Sequence, residues 1–302
     1  MDYFGILERS FAVTRRYRVL WLFGFLLALF GAGGGTGNGV RYAFRGGDLD
    51  QLGVPPEFGI LIILGIVAFV IGLAIVAVII NYVCQTALIG LVGEIEEGKD
   101  PTVRHGFDVG WSRSALRLFG VDIAIFVPVA LAVTILAVLF IVPFLAFSRS
   151  DQVGPAAVVV VCCLVLLIPL FIAAIVALDV LKKFFYRQVV LAGNGVFEAI
   201  RNGYSLVRAN LGPVAVMWLI MFIVGLLWAA VNFLIGLIAL AAVGGPAALI
   251  YAIFKSGLAA ALAALPFLLI AVVFFAAINA LYTVFTRTVW TLTYLKLPRQ
   301  PA

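Results

Sequence analysis

Residues 104–111 read RHGFDVGW, and residues 201–206 read RNGYSL. Both follow the pattern Arg, any residue, Gly, aromatic, any residue, Val or Leu, and each stands shortly before a long apolar block of the chain. Aligned on the aromatic residue, they are joined by a third match at Phe11. The residues Phe11, Phe107 and Tyr204 lie 96 and 97 residues apart. This spacing predicts that the chain of 302 residues consists of three similar units of about 100 residues.

The composition is that of a membrane protein. Apolar residues make up 65% of the chain and charged residues 11%, against about 45 to 50% and about 25% in ordinary soluble domains. A helix needs about 20 apolar residues to cross about 30 Å of hydrocarbon. We therefore predict an all-α integral membrane protein with six transmembrane helices, the first of which extends back through Tyr17. The six apolar blocks are 19–33, 58–83, 118–147, 156–181, 213–243 and 258–285.

Basic residues are concentrated on one set of connections. Of the 20 Lys and Arg residues, 16 lie before the odd-numbered blocks or after the even-numbered ones. The other four are Arg41, Arg45, Arg149 and Lys255. Because Lys and Arg stay on the cytoplasmic side, we predict a multi-pass membrane protein with both termini in the cytoplasm. The net charge of +6 favours anionic membrane lipids as partners, and no basic soluble module indicates nucleic acid.

Two crossings return the chain to the side on which a unit began. The three units, about 1–99, 100–193 and 194–302, are therefore expected to share one orientation as parallel two-helix repeats within a single transmembrane domain, 1–302. Each unit is expected to begin with a short interfacial helix. Two of these helices are expected to follow a helix stop. Gly98 is the predicted stop before the first, with Asp100 as the N-cap, and Gly193 is the predicted stop before the second, with Asn194 as the N-cap.

The short helices are predicted to lie at the headgroup layer, the first of these two over 103–117. Basic and aromatic side chains would contact lipid there, whereas Gly106 and Gly203 would allow a close approach or a bend. A ligand contact by the two arginines is the alternative interpretation. The predicted interfacial residues are Arg104, Phe107, Trp111, Arg201 and Tyr204.

Polar residues inside the apolar blocks are a second group of candidates, since each is costly in a bilayer. Asn81, Asp179 and Asn279 lie 98 and 100 residues apart, and one per unit could form a polar ring around a cavity. Asp179 could instead pair with Lys182 or Lys183, which follow it at helical spacing.

Two further polar residues have structural interpretations. Asp122 lies about one turn beyond Arg117, so we expect the two to pair. Asn232 is expected to form a hydrogen bond to a neighbouring helix.

The sequence contains no recognisable catalytic, cofactor or metal motif. His105 is the single histidine, so no histidine pair can hold a metal, and the glycine-rich stretch 31–39 lacks a phosphate-binding pattern. Glu94, Glu96 and Glu97 resemble a cation cluster, but a solvated acidic turn is the simpler interpretation. No nucleophile and base pair is present, and we therefore expect a protein that is not an enzyme and has no cofactor.

The N-terminus also fits a cleaved signal peptide, because basic residues precede an apolar stretch and small residues follow it. We favour retention of the first helix, since its removal would break the set of three units.

Residues 198–204, EAIRNGY, and 206–212, LVRANLG, resemble a segment of a loose group of bacterial polytopic proteins. This group includes the membrane domain fused to glycerophosphodiester phosphodiesterases and the YciC-like inner-membrane proteins. The resemblance implies a polytopic inner-membrane protein without an agreed function. It carries over no enzymatic activity, because the chain has no phosphodiesterase domain. Three two-helix units also look like mitochondrial carriers, whose signature is absent at every proline.

The sequence leaves three hypotheses about function. The first is a non-enzymatic protein that engages lipids or amphiphiles at its cytoplasmic face. The second is a small-solute permease that uses the polar ring. The third is an accessory subunit of a larger membrane complex, with an unknown membrane-protein partner.

Overall fold

The computed structural model describes residues 1–30, 56–147 and 153–298. All regular structure in these ranges is α-helical, as predicted. The glycine-rich stretch 31–39 lies outside the described residues. The helices are α1 (Tyr3–Arg16), α2 (Val19–Phe30), α3 (Pro56–Glu96), α4 (Val103–Gly110), α5 (Arg113–Phe147), α6 (Val153–Val190), α7 (Val196–Ala209), α8 (Leu211–Phe254) and α9 (Gly257–Lys296).

Four helices of the described ranges contain stretches long and apolar enough to cross a membrane. These stretches are Val67–Glu96, Arg113–Val138, Leu211–Phe254 and Ala259–Lys296. The apolar helix α2 has 12 residues and spans about 18 Å at 1.5 Å per residue, less than the hydrocarbon thickness of about 30 Å. The described helices thus fit a membrane-embedded protein, while the six crossings predicted above stay a prediction.

Glycines end two of the long helices, as the sequence predicted. Gly98 has φ 84° and Gly193 has φ 72°, a left-handed conformation that glycine adopts without strain. The predicted N-caps are wrong by one or two residues. Thr102, not Asp100, caps α4, and its Oγ1 accepts a hydrogen bond from the backbone N–H of His105 at 3.3 Å.

α7 likewise begins one residue later than predicted. Its N-cap is Gly195, not Asn194. The backbone N–H of Gly195 donates to Glu198 Oε2 at 3.2 Å. A glutamate at this position satisfies one of the free N–H groups of the first turn.

Two predicted continuous segments are broken by turns. The first apolar block does not extend back through Tyr17, because α1 ends at Arg16 and α2 begins at Val19. The interfacial segment predicted over 103–117 is divided between α4 and α5. Ser112 lies in the break, and its Oγ accepts from the backbone N–H of Ser114 at 3.3 Å, as an N-cap side chain does.

The connection predicted after Val243 is helical. α8 continues through Pro246 to Phe254, and the chain turns at Lys255, which has φ 51°. Proline costs a helix one backbone hydrogen bond and some strain, but helices in apolar surroundings tolerate it.

The chain divides into two compact units. Unit 1 comprises Met1–Ala115 and Ala215–Lys296. Within it, α2 packs against α3 and α9, and a Cβ at Gly24 would lie 2.5 Å from the Val284 side chain. Buried side chains of α1, α2, α3 and α9 form one apolar cluster: Val13, Leu20, Phe23, Leu27, Cys84, Ala87, Leu88, Leu91, Val92, Ile95 and Val284.

Unit 2 comprises Leu116–Val214 and the chain from Leu297 onward. Within it, α7 packs against α6. Arg117 donates to the backbone carbonyl of Gly193 at 2.7 Å, which satisfies a carbonyl at the end of α6. Asn210 donates to the carbonyls of Leu206 at 3.0 Å and Pro298 at 3.5 Å.

Candidate functional site

The short helices α1, α4 and α7 each pack against a long helix: α1 against α9, α4 against α3 and α7 against α6. Small residues make the contact on α4 and α7. A Cβ at Gly106 would lie 2.6 Å from the Phe23 ring, and one at Gly203 would lie 2.5 Å from the Phe185 ring. The predicted close approach at both glycines is confirmed. The third small residue, Ser10 of α1, is fully buried.

The predicted interfacial residues lie on the other side of these helices. Phe107 is 41% exposed, Tyr204 51% and Trp111 73%, and both Arg104 and Arg201 are exposed. Their positions leave them accessible, and their contact with lipid stays a prediction. Phe107 also touches the core, because its ring centroid lies 5.1 Å from that of Phe23.

On α7 the exposed aromatic and basic residues form one continuous stripe. Phe197, Arg201, Tyr204 and Arg208 are all exposed, and their spacing of four, three and four residues keeps them on one side of a helix. A cation can bind a phosphate there while the rings reach the acyl boundary.

α1 carries a similar stripe that the sequence analysis overlooked in part. Phe4 is 83% exposed, Phe11 is 62% exposed and Arg15 is exposed. Phe4 and Phe197 lie 193 residues apart, as do Phe11 and Tyr204. That repeated separation is the signal that could have identified Phe4 and Phe197 as candidates.

Two carboxylates at the C-terminal end of α3 pair with side chains of the short helices α1 and α4. Glu96 Oε1 lies 3.0 Å from Arg9 Nε of α1, and both carboxylate oxygens of Glu94 lie 3.0 Å from His105 Nε2 of α4. These two carboxylates are partly buried, so the predicted solvated acidic turn applies fully only to Glu97. No cluster of three metal-ligating side chains occurs in the described ranges.

Glu97 pairs with Lys99 beyond the end of the helix. Lys99 Nζ donates to Glu97 Oε2 at 2.7 Å, and this hydrogen bond raises the pKa of Lys99 above its usual value. Both side chains are about two-thirds exposed, so water screens the pair strongly.

Each of the three residues of the predicted polar ring has a partner close by. Asn81 accepts a hydrogen bond from Gln85 on the same helix. Asp179 Oδ2 lies 2.7 Å from Lys183 Nζ, which confirms the alternative interpretation of Asp179. Asn279 bonds within unit 1, and the ring itself stays a prediction.

Asn279 joins α9 to α8. Its Nδ2 donates to Asn232 Oδ1 at 3.0 Å and to the carbonyl of Phe275 at 2.9 Å, and its Oδ1 accepts from Trp228 Nε1 at 3.2 Å. The predicted hydrogen bond of Asn232 to a neighbouring helix is confirmed. Trp228 also stacks on Tyr282, with ring centroids 4.9 Å apart and planes 7° apart.

Asp122 does not pair with Arg117, contrary to the sequence prediction. Its Oδ1 lies 2.7 Å from Lys182 Nζ and accepts a hydrogen bond from the hydroxyl of Tyr186 at 2.5 Å. These bonds join α5 to α6 within unit 2. Arg117 is instead directed to the Gly193 carbonyl.

A cavity of about 410 Å³ lies within unit 1, next to the Asn279 network. Residues of α1, α2, α8 and α9 line it. Five aromatic side chains and one arginine dominate the wall: Phe11, Arg15, Trp21, Trp228, Tyr282 and Phe285. No local pattern in the sequence indicates this cavity, because its wall combines residues more than 200 positions apart in the chain.

A model of a protein family matches residues 8–296, from within α1 to the last residue of α9. The chain belongs to the DUF7544 family. This is a family of unknown function, and the match gives no link to phosphodiesterase membrane domains or YciC-like proteins, so that resemblance is not supported. Neither the curated proteins nor the solved structures contain a match to the chain.

The DUF7544 match includes α4, α7, α1 from residue 8 onward and the whole wall of the cavity. The stripe on α7 and the cavity therefore both lie in the part of the chain that the family model matches, whereas Phe4 of the α1 stripe lies before it.

Proposed function

We propose that this DUF7544 protein is a non-enzymatic protein of the bacterial inner membrane that binds anionic lipids at its cytoplasmic face. The carrying observation is the exposed stripe of aromatic and basic side chains on α7, with its counterparts Arg104, Phe107 and Trp111 on α4. In a soluble protein such exposed aromatic residues would be unfavourable. At a membrane boundary they are stabilised by the acyl region, and the arginines by phosphates.

The proposed topology has six crossings and both termini in the cytoplasm. In this arrangement α6 crosses the bilayer together with the four helices that contain the long apolar stretches, and the first crossing includes α2, whose 12 residues are by themselves too short to cross. The support is the distribution of Lys and Arg, which places the short helices on the side richer in basic residues.

We further propose that the three sequence units of about 100 residues, which differ from the two compact units of the fold, are parallel repeats. Two matched features support this. The aligned positions Ser10, Gly106 and Gly203 are all buried, and the next residue in each unit, an aromatic one, is exposed. A shared environment at matching positions is expected where similar units enter the bilayer from the same side.

Native mass spectrometry of the full-length protein, purified in mild detergent and supplied with phosphatidylglycerol, tests the proposal. Each basic residue near an anionic surface contributes about 1 kcal/mol, or roughly fivefold in affinity. We expect Arg104→Gln and Arg201→Gln each to weaken phosphatidylglycerol binding by about that factor, with little effect on phosphatidylcholine.

Lys255→Gln is the matched control. It also removes one exposed positive charge, but from the turn between α8 and α9, which the topology places on the opposite side. Equal weakening by Lys255→Gln, absence of bound phospholipid on the unaltered protein, or labelling that puts Phe107 and Tyr204 on opposite faces of the membrane would each overturn the proposal.

A further inference from the structure

The wall of the cavity in unit 1 offers an occupant very few free polar groups. Trp21 Nε1 donates to the backbone carbonyl of Thr14 at 2.6 Å, and Thr14 Oγ1 donates to the carbonyl of Ser10 at 2.8 Å. Trp228 donates to Asn279. These hydrogen-bonding groups are therefore already satisfied, and apart from Arg15 and the Tyr282 hydroxyl the lining residues present rings and aliphatic carbons. Such a wall favours an apolar chain over a polar solute.

Arg15 gives the cavity a charge preference. It is exposed, and none of the ion pairs in the described ranges includes it. The other arginines of α1 differ, because Arg9 pairs with Glu96 and Arg16 lies over the Tyr17 ring at 5.6 Å. Arg15 is thus the arginine of this helix that combines a place in the cavity wall with a free guanidinium.

An apolar groove lies farther along the same pair of helices. It has a volume of about 420 Å³ and is lined by residues such as Ile235, Ile238, Phe274 and Ile278. Val224, Trp228 and Ile235 fall on one side of α8 at 100° per residue, so the groove follows the cavity along one face. An acyl chain longer than the cavity could extend toward it.

We propose that the cavity holds one acyl chain of an anionic phospholipid, with its phosphate bound by Arg15. This goes beyond general attraction of the short helices to the membrane surface, although it rests on the proposed function in placing α1 at the headgroup layer. The volume falls in the range of about 300 to 1,000 Å³ that is typical of ligand sites. The two tryptophans of the wall also suit a position at the membrane boundary.

Photocross-linking of the full-length protein in detergent tests the proposal. The probe is phosphatidylglycerol with a diazirine on one acyl chain. We expect labelled peptides from α8 around Val224–Trp228 and from α9 around Leu281–Phe285. Excess unlabelled phosphatidylglycerol should compete about fivefold better than phosphatidylcholine with the same chains, the ratio expected for one partly exposed charge pair.

Two variants and one control separate this site from the surface stripes. Arg15→Gln should remove the preference for phosphatidylglycerol at these peptides, whereas Arg16→Gln, which removes the same charge from the next residue, should keep it. Val224→Phe fills the cavity without altering any charge, and should lower labelling there several-fold while leaving lipid binding that depends on Arg104 unchanged.

Equal effects of Arg15→Gln and Arg16→Gln would overturn the cavity proposal and leave the proposed function standing. Equal competition by the two lipids, or labelling that Val224→Phe does not change, would also overturn it. If Arg104→Gln and Arg201→Gln do not weaken phosphatidylglycerol binding while the cavity is still labelled, the result contradicts the proposed function instead.

Discussion

The middle of α3 and its C-terminal end differ sharply in their surroundings. Residues 67–76 are all exposed, although they are almost entirely apolar, whereas residues 83–93 are all buried. The buried end includes Gln85 and Thr86. The helix therefore has two kinds of surroundings: an apolar exterior that suits lipid along its middle, and a protein core that encloses polar groups at its C-terminal end.

The same contrast is found on α6 and α9. Residues 168–175 and 265–270 are exposed, and residues 184–189 and 288–294 are buried. The buried ends contain polar side chains that bond to their own helix, such as Thr288 Oγ1 to the Val284 carbonyl at 2.8 Å. Tertiary packing is thus concentrated at one end of each helix, and the exposed stretch of each helix presents apolar side chains outward.

The largest effect is expected from adding one methyl group at the buried end. Gly110→Ala places a Cβ 2.7 Å from the backbone carbonyl oxygen of Val83, and backbone cannot move aside as a side chain can. Overpacking of this kind costs about 1 to 3 kcal/mol. We expect a free energy of unfolding lower by that amount in a denaturant titration of the detergent-solubilised protein.

Gly72→Ala provides the comparison in the exposed middle of α3. Apart from the neighbouring backbone of its own helix, nothing in the described ranges lies within 4 Å of its added Cβ, and alanine favours the helix by up to about 1 kcal/mol. This variant should be neutral or slightly more stable. If the two substitutions destabilise equally, the distinction between packed ends and exposed middles is wrong.

A smaller effect is expected where two helices are joined inside the exposed region. Asn279→Leu removes the hydrogen bonds to Asn232 and from Trp228. Hydrogen bonds between membrane helices average about 0.6 kcal/mol, so the loss should be about 1 kcal/mol in the same titration. Asn232→Leu combined with Asn279→Leu should cost less than the sum of the single changes.

Asn81→Leu is the matched substitution on α3. Asn81 bonds to Gln85 on its own helix and, in the part of the chain that the structure describes, has no hydrogen bond to a second helix, so we expect about half the loss found for Asn279→Leu. A loss as large as that of Asn279→Leu would show that the α8–α9 network contributes no more to the free energy of unfolding than a hydrogen bond within one helix.

The smallest effect is expected at the rim of the buried end. Glu96→Gln removes the pair with Arg9, whose side chain is half exposed, so the free energy of unfolding should fall by about 0.5 kcal/mol at low salt and less at high salt. Glu97→Gln removes the more exposed pair with Lys99 and should leave the midpoint unchanged. Equal shifts for both variants would contradict this order.

Local signals in the sequence predicted helix ends better than helix beginnings. Gly98 and Gly193 adopt the left-handed conformation expected of a stop. The caps were harder to place because Thr102 competes with Asp100, and because Gly195 caps α7 without a side chain. Several residues near a turn can satisfy the same free N–H groups.

Partners distant in the chain could not be predicted from the sequence. Asp122 was assigned to Arg117, five residues away, but it pairs with Lys182. Helical spacing reveals only neighbours on the same helix. The cavity shows the same difficulty, since Arg15 and Trp228 come together only through helix packing.

The close packing of α9 against α1 and α2 has a consequence for the order of assembly. More than 200 residues separate Arg16 from Gly257, so at about 5 to 20 residues per second a ribosome needs roughly 10 to 50 s to reach the last helix. Throughout that interval the N-terminal helices lack the segment that packs against Val13 and Gly24. Unit 1 can therefore be completed only after α9 is made, by packing between segments from opposite ends of its range.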